Sequence, residues 1–168
     1  MASNRKPRRK YRPGAVHVNA VQLAIRRAGK LDRADVLGQH RLQQRALTEF
    51  AAGQHCAAHW RTLADAANMA ETLAGIGIGT GADALTIIAD AQHALAAVAR
   101  RHADRQTWTL YAGELDALRW LIALHGRQLA ECSYGEFDTA YVRTANRMAQ
   151  ALAGNAAADA VVVVGDVA

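Results

Sequence analysis

The sequence predicts an all-α protein, and three observations carry this prediction. The chain has 168 residues and only two prolines, both of which lie within its first thirteen residues. Proline therefore interrupts no helix after Pro13. Apolar residues make up 51% of the chain, much of it alanine, and leucines recur at spacings of three and four. We expect one domain, built as a helical bundle of two antiparallel helical hairpins plus two shorter N-terminal helices.

Residues 1–18 are expected to form a disordered basic arm. Six cations and no acid lie in a short segment of this arm, whereas the whole chain has a net charge of +5. The remaining 14 basic and 15 acidic residues give the rest of the chain a net charge of −1. Such an arm attracts polyanions, of which phosphate backbones are the commonest. The predicted nucleic-acid-binding residues are Arg5, Lys6, Arg8, Arg9, Lys10 and Arg12.

Two shorter helices are predicted between Asn19 and Gly53. Asn19 is suited to cap the first helix and Gly29 to end it, and Asp32 is suited to cap the second. The middle of the second helix, residues 39–45, is strongly polar, so we expect one solvent-exposed face there. The apolar residues are Val21, Ile25 and Ala28 on one face of the first helix, and Val36, Leu37, Leu42, Leu47 and Phe50 in the second.

The third and fourth helices are predicted to form the first hairpin, joined by a glycine-rich link. The third helix runs from about residue 55 to residue 74, and its stripe narrows from bulky to small side chains, which lets a neighbouring helix approach closely. The link, residues 75–81, has four glycines in seven positions and is expected to be flexible or tightly turned. The fourth helix starts near Asp83 and runs to about Ala103. The inward stripes are Cys56, Trp60, Leu63, Ala67, Ala70 and Ala74 in the third helix, and Leu85, Ile88, Leu95 and Val98 in the fourth.

The predicted fifth helix, between Thr107 as its cap and Cys132, is the most hydrophobic element and the best candidate for the centre of the bundle. Its apolar residues alternate at spacings of three and four, and further leucines widen the stripe, so we expect neighbours on more than one side. His125 lies on this stripe, where a lone histidine is usually a hydrogen-bonded core or boundary residue. The stripe comprises Trp108, Tyr111, Leu115, Leu118, Ile122, His125 and Leu129, flanked by Leu110, Leu121 and Leu124.

A sixth helix completes the second predicted hairpin after a link at residues 133–138, and it ends near Gly154. The helical domain is thus predicted to span residues 19–154, and residues 155–168 to form a loose tail. The valine run Val161–Val164 has strand propensity, so the tail is either a frayed terminus or a strand that adds to a sheet edge of another protein. The large apolar residues of the sixth helix are Phe137, Tyr141, Met148 and Leu152.

Three motifs resemble functional sites, but the residues around each of them argue against that function. The glycine link lacks the lysine of a phosphate-binding loop and the preceding strand of a dinucleotide fingerprint, so a hinge or plain interhelical link is favoured. His55 and His59 share one helical face, which is half of a zinc site, but a third ligand would have to come from elsewhere, and Cys132, His102 or His125 are only possibilities. The alternative is a solvent-facing pair beside a buried Cys56. The segment at residues 50–60 could pass for a helix-turn-helix, yet Glu49 stands where that motif usually has a small residue.

Composition and spacing exclude several other classes. Two cysteines argue against a disulfide scaffold and fit a reducing cytoplasm. No apolar run approaches a membrane span, and no hydrophobic segment follows the basic arm as in a secretory signal. Glu114 and Asp116 are two positions apart and do not face each other as a catalytic pair would. No nucleophile is placed beside a base. We therefore expect a non-enzymatic cytoplasmic protein with no cofactor, metal or membrane partner.

Several short motifs, spread over most of the chain, resemble small helical proteins encoded in proteobacterial prophage regions. They are Lys10-Tyr11-Arg12-Pro13, Trp60-Arg61, Trp108-Thr109-Leu110, Leu118-Arg119-Trp120 and Cys132-Ser133-Tyr134. The resemblance implies a phage accessory protein in a bacterial cytoplasm. That family has no assigned activity, so no catalytic residue is carried over.

Charge layout and resemblance together predict a non-enzymatic, phage-type accessory binding protein whose basic arm contacts a nucleic acid backbone. The alternative is a protein–protein module, an inhibitor or adaptor acting on a host protein, for which the arm is dispensable. Self-association as a homo-oligomer is also expected, because heptad seams are shared between chains as readily as within one.

Overall fold

Six α-helices make up the computed structural model, which describes residues 19–54 and 57–152. The all-α prediction is confirmed: these residues contain no strand, and their one β-bridge joins Lys30 to Ser133. None of these helices combines the length and the apolar character needed to cross a membrane. The helices are α1 (Ala20–Ala28), α2 (Arg33–Ala51), α3 (Ala57–Gly75), α4 (Ala84–Arg105), α5 (Ala112–Glu131) and α6 (Tyr134–Leu152).

Helices α3 and α5 form the centre of the bundle. α5 packs against α2, α3 and α4, which confirms that the central helix has neighbours on more than one side. α3 packs against α2, α4 and α5, and also carries α6. The predicted stripe of α3 is buried from Trp60 to Ala74 within this single chain, whereas Cys56 lies outside the described residues.

The predicted arrangement of two hairpins is not confirmed. α3 and α4 pack against each other, but the extensive contacts of α6 are with α3 and α1. The link between α5 and α6 is only Cys132 and Ser133, and Ser133 opens α6 by exchanging hydrogen bonds with Glu136. The N-terminal helices were expected to be shorter than the others, and this is wrong for α2, which has 19 residues like α3.

Side-chain caps fix several helix starts. Asn19 and Asp32 cap α1 and α2 as predicted, each accepting a backbone N–H at 3.0 Å. The predicted cap of α5 at Thr107 is wrong, because the N-cap residue is Tyr111. The Glu114 carboxylate accepts the Tyr111 backbone N–H at 2.8 Å and closes the first turn there. Trp108 therefore enters the core from the segment before the helix.

Helix phase explains which apolar residues were placed on the wrong face. Leu85 was expected to face inward but is 69% exposed, because the neighbouring Ala84 takes the buried position one turn before Ile88. Likewise, the large Tyr141 is exposed, and its neighbour Ala140 is buried. The other exposed members of the predicted apolar sets are Val21, Ile25, Ala28, Leu37, Leu42 and Tyr111.

Two apolar clusters fill the interior. The larger one lies among α2, α3, α4 and α5, and at one end of it the rings of Phe50 and Trp60 each lie 6.2 Å from that of Trp108. The Trp60 indole N–H donates to the Leu95 carbonyl at 3.1 Å. The smaller cluster lies beneath α6 and comprises Met69, Leu73, Ile78, Leu129, Cys132 and Ala140.

Candidate functional site

A cavity of about 370 Å³ lies where α2, α3, α5 and α6 meet. Its volume falls in the range of small-molecule binding sites. Most of its wall is apolar, with a few polar groups among the apolar side chains. The lining residues are Gln39, Leu42 and Gln43 of α2, Thr62, Asp65, Ala66 and Met69 of α3, His125 and Leu129 of α5, and Phe137, Tyr141, Thr144, Ala145 and Met148 of α6.

Beside the cavity, polar bonds join α6 to α3 in addition to the small apolar cluster beneath α6. The Thr72 and Thr144 hydroxyl oxygens lie 2.8 Å apart. Arg147 donates to the Asn68 carbonyl at 3.2 Å and to the Thr72 hydroxyl at 2.9 Å, and it pairs with Glu71 at 2.8 Å. These contacts fix one side of α6, and the space between α6 and α2 stays unfilled.

His125 is the most deeply buried polar group of the cavity wall. Its side chain is 4% exposed, and its Nδ1 lies 3.0 Å from the amide nitrogen of Gln43, itself 4% exposed. Its Nε2 is buried without a hydrogen-bond partner. Burial, assisted by the nearby charge of His40, lowers the pKa of His125 to about 4, so the ring is neutral near pH 7. The prediction of a hydrogen-bonded core histidine is confirmed.

Asp65 supplies the carboxylate at the exposed rim of the cavity. Partial desolvation raises the pKa of Asp65, and the positive charge of Arg61 opposes this rise. The cavity thus presents a neutral imidazole and amide at its base, an acid at its rim, and thioether, aliphatic and aromatic walls. A histidine with so low a pKa is a weak base.

Sequence reasoning missed Gln43 and placed it in a segment expected to be polar and solvated. A detectable signal was present, because Gln43 falls in helical phase with Val36, Leu47 and Phe50. A glutamine in an apolar phase is a candidate for a buried, hydrogen-bonded group. The pairing of Gln43 with His125 also explains how an otherwise apolar α5 stripe accommodates an imidazole.

The basic N-terminal region forms a second candidate site. The predicted nucleic-acid-binding residues lie outside the described residues, but α1 and the start of α2 add four exposed cations. Arg26 lies over the Tyr134 ring at 5.4 Å, Arg27 pairs with Asp138 at 3.4 Å, and Lys30 donates to the Glu131 carbonyl at 2.7 Å. No residue of α1 is buried. The four cations are Arg26, Arg27, Lys30 and Arg33.

The comparisons with known proteins add no relative. No family model matches the chain, and no curated protein or solved structure is found to be similar to it. The resemblance to prophage-encoded proteins therefore stays a prediction.

His59, one of the two histidines of the predicted half zinc site, makes its contacts within the α2–α3 junction. Its Nε2 lies 2.7 Å from the Glu49 carboxylate and its Nδ1 lies 3.1 Å from the Gln54 carbonyl oxygen. Both ring nitrogens thus face oxygen acceptors and not a vacant ligand position. Glu49 also accepts from Arg45 at 2.6 Å, and this bond lowers the pKa of Glu49. His55 lies outside the described residues, among which no three metal-binding side chains form a group.

Two features of the glycine-rich link account for its glycines: positive φ angles and a close contact with a side chain of α5. Gly77 and Gly79 have φ angles of +91° and +65°, which favour glycine. A Cβ on Gly79 would lie only 2.5 Å from Cγ of Gln128. Gln128 donates to the Ala70 and Ile78 carbonyls at 3.0 and 3.1 Å, so its buried amide fastens the link to α3 and α5. These contacts favour the interhelical-link interpretation over phosphate binding.

Proposed function

We propose that the protein is a non-enzymatic, phage-type accessory binding protein whose basic N-terminal arm contacts a nucleic acid backbone. The observation that carries this proposal is the partition of charge along the chain. Residues 1–33 contain ten of the 20 basic residues and one of the 15 acidic residues, a net charge of +9. Residues 34–168 carry ten basic and 14 acidic residues, a net charge of −4. A polyanion is therefore attracted to one end of the chain and repelled by the remainder.

The exposed cations of α1 extend the attraction of the arm onto the folded body. Arg26 and Arg27 of α1 contact α6, Lys30 after α1 contacts the last residue of α5, and all three stay exposed. Cations in such an arm contact phosphates and read little base sequence. We therefore expect non-specific binding that depends strongly on salt.

A binding titration with a fluorescent DNA duplex at about 50 and about 200 mM salt tests the proposal. If the six arm cations engage phosphates, log K falls against log salt with a slope of roughly −5, so affinity falls on the order of 10³-fold over this interval. Deletion of residues 1–13 should abolish this binding. Equal affinity in the truncated protein would overturn the proposal.

A charge-matched pair of variants separates the arm from net charge. The arm variant Arg8→Gln/Arg9→Gln/Lys10→Gln should flatten the salt slope by about 3. The body variant Arg100→Gln/Arg105→Gln/Arg127→Gln removes the same charge from exposed positions on α4 and α5 and should leave the slope nearly unchanged. Equal flattening in both variants would show that net charge, and not the arm, drives binding.

The alternative function, a protein–protein module acting on a host protein, is favoured by the exposed apolar face of α1. Val21 and Ile25 lie one turn apart on this helix and are 66% and 69% exposed. Exposed apolar faces of this kind mark partner sites on helices. This function predicts that a host protein co-purifies with the arm-deleted chain and is lost in Val21→Ser/Ile25→Ser. The control is Leu85→Ser, an equally exposed apolar position on α4.

A further inference from the structure

We propose that the cavity among α2, α3, α5 and α6 binds a small, neutral aromatic molecule that carries one hydrogen-bonding group for His125. No residue of α1 lines this cavity. The proposal depends on three features of the cavity: its size and lining, the unsatisfied nitrogen of His125, and the carboxylate at its rim.

The lining favours an apolar, flat ligand. Met69 and Met148 contribute adaptable thioether side chains, which make favourable contacts with aromatic rings. Phe137 and Leu129 add apolar surface from α6 and α5. A cavity of about 370 Å³ with this lining matches sites that enclose small molecules, which are mostly apolar with a few placed polar groups.

The unsatisfied nitrogen of His125 is the reason why we expect the ligand to carry a polar group. Five side-chain nitrogen or oxygen atoms are buried without a partner in the described ranges, and His125 is the one residue among them that lines the cavity. A buried polar atom without a hydrogen bond is destabilising, and native proteins rarely retain one without a reason. A ligand group that reaches Nε2 from the cavity would supply the missing bond.

The polarity of that bond follows from the orientation of Gln43. If the Gln43 amide nitrogen donates to Nδ1, at 3.0 Å, then Nε2 carries the proton and the ligand must accept. If Nδ1 donates to the Gln43 amide oxygen, at 3.2 Å, then Nε2 accepts and the ligand must donate. In either case the group that the ligand meets is an uncharged imidazole, which suits a neutral partner, and Asp65 at the rim disfavours an anion.

Three bicyclic probes of similar size test this site on the full chain. Naphthalene has no hydrogen-bonding group, indole donates one hydrogen bond, and quinoline accepts one. Titrations followed by protein NMR should show indole or quinoline binding roughly three- to tenfold more tightly than naphthalene, the increment expected for one hydrogen bond. The preferred probe then identifies the tautomer of His125. Equal binding of all three probes, or binding of none, overturns the proposal.

Matched variants locate the binding. Ala145→Leu places a larger side chain at a lining position and should lower the affinity for the preferred probe at least about tenfold. Ala149→Leu, one turn further along α6 and outside the lining, should bind like the natural sequence. His125→Leu should lower the affinity for the preferred probe to that for naphthalene. Retained binding in Ala145→Leu, or retained preference in folded His125→Leu, overturns the assignment.

The chain's own C-terminal residues are the competing occupant. α6 ends at Leu152, one turn after the lining residue Met148. If the probes bind only after deletion of residues 153–168, the cavity belongs to that segment and the small-molecule proposal is wrong. Binding to the full chain that is unchanged by the deletion supports the proposal.

Discussion

The two sides of α3 are built in different ways. Toward α4 and α5, α3 presents Trp60, Leu63 and a run of alanines, and these meet an apolar cluster with almost no exposed surface. Toward α6, the contact combines a small apolar cluster with threonine hydroxyls, an arginine clamp and an open cavity. The first side is a packed core, and the second is a polar-bonded support for α6.

The difference concerns how completely the space on each side of α3 is filled. Close packing leaves little space between α3 and the helices α4 and α5. On the other side, α6 is held on α3 by polar bonds and by the small apolar cluster, and the groove toward α2 is open. We expect the α6 side to be the less stable of the two, and both candidate sites involve α6: the cavity directly, and α1 through its packing on α6.

The largest effect that would test this comparison is expected from Trp60→Ala. Trp60 is 1% exposed, contacts Trp108 and donates to the Leu95 carbonyl. Its loss should lower the free energy of unfolding by about 3–5 kcal/mol, measured by urea titration. The control is Trp120→Ala, since this tryptophan of α5 is 62% exposed and should change stability by no more than about 0.5 kcal/mol. Similar losses in both variants would contradict a stability concentrated on the α4–α5 side.

The next largest effect is a pH dependence of the free energy of unfolding, which arises from His125 at the base of the cavity. The pKa of His125 falls from 6.5 to about 4 on folding. Above pH 6.5 the ring is neutral in both states, so it adds no pH dependence. Between pH 6.5 and about 4 only the unfolded chain takes up the proton, so the free energy of unfolding falls with acidification, by about 3 kcal/mol in total.

Urea titrations at about pH 7.5 and about pH 5 measure this loss, of which roughly 2 kcal/mol should appear by pH 5. His125→Gln should remove it and flatten the dependence. His93→Gln alters an exposed histidine on α4 and serves as the control. If His125→Gln and the natural sequence lose the same stability over this range, His125 is not buried in its neutral form.

The contrast between the two sides also explains what the sequence could predict. The stripe of α3 was predicted correctly because spacing alone places Trp60, Leu63 and the alanines on one face. The cavity was not predictable, because an unfilled volume depends on side chains from four helices that are distant in sequence. The path of α6 also escaped prediction, since it depends on contacts of Thr72 and Arg147 that no periodicity encodes.

Single residues show the same limit at smaller scale. Leu85 and Tyr141 are large and apolar, yet a small alanine beside each takes the buried position. Periodicity identifies a helix and its approximate face, but the exact phase is decided by how closely the neighbouring helix approaches. Gln43 and Gln128 were readable as polar residues in apolar phases, but their partners, His125 and two backbone carbonyls, were not.

A smaller effect is expected at the glycine link beneath α6. Gly79→Ala places a methyl group at φ +65° and against Cγ of Gln128, which disturbs the two bonds from Gln128 to backbone carbonyls. We expect a loss of about 2 kcal/mol in the free energy of unfolding. The matched control is Gly81→Ala, where the added Cβ meets no atom within 4 Å. Equal stability of the two variants would mean that Gln128 does not fasten the link.

The smallest effect is also the most specific, because it should be confined to one helix. Arg147→Met keeps an unbranched apolar stem but removes the bonds to the Asn68 carbonyl, the Thr72 hydroxyl and Glu71. We expect about 1 kcal/mol of lost stability, since these groups are partly solvated and each bond contributes little. If polar bonds hold α6, hydrogen exchange should accelerate in α6 while α4 and α5 keep their protection.

Arg143→Met is the control, because Arg143 is exposed on the same helix one turn earlier. It should leave the exchange of α6 unchanged. Acceleration that spreads equally into α4 and α5 would show that α6 unfolds only with the whole bundle. In that case the two sides of α3 form one cooperative unit in spite of their different chemistry, and the cavity could not open independently of the core.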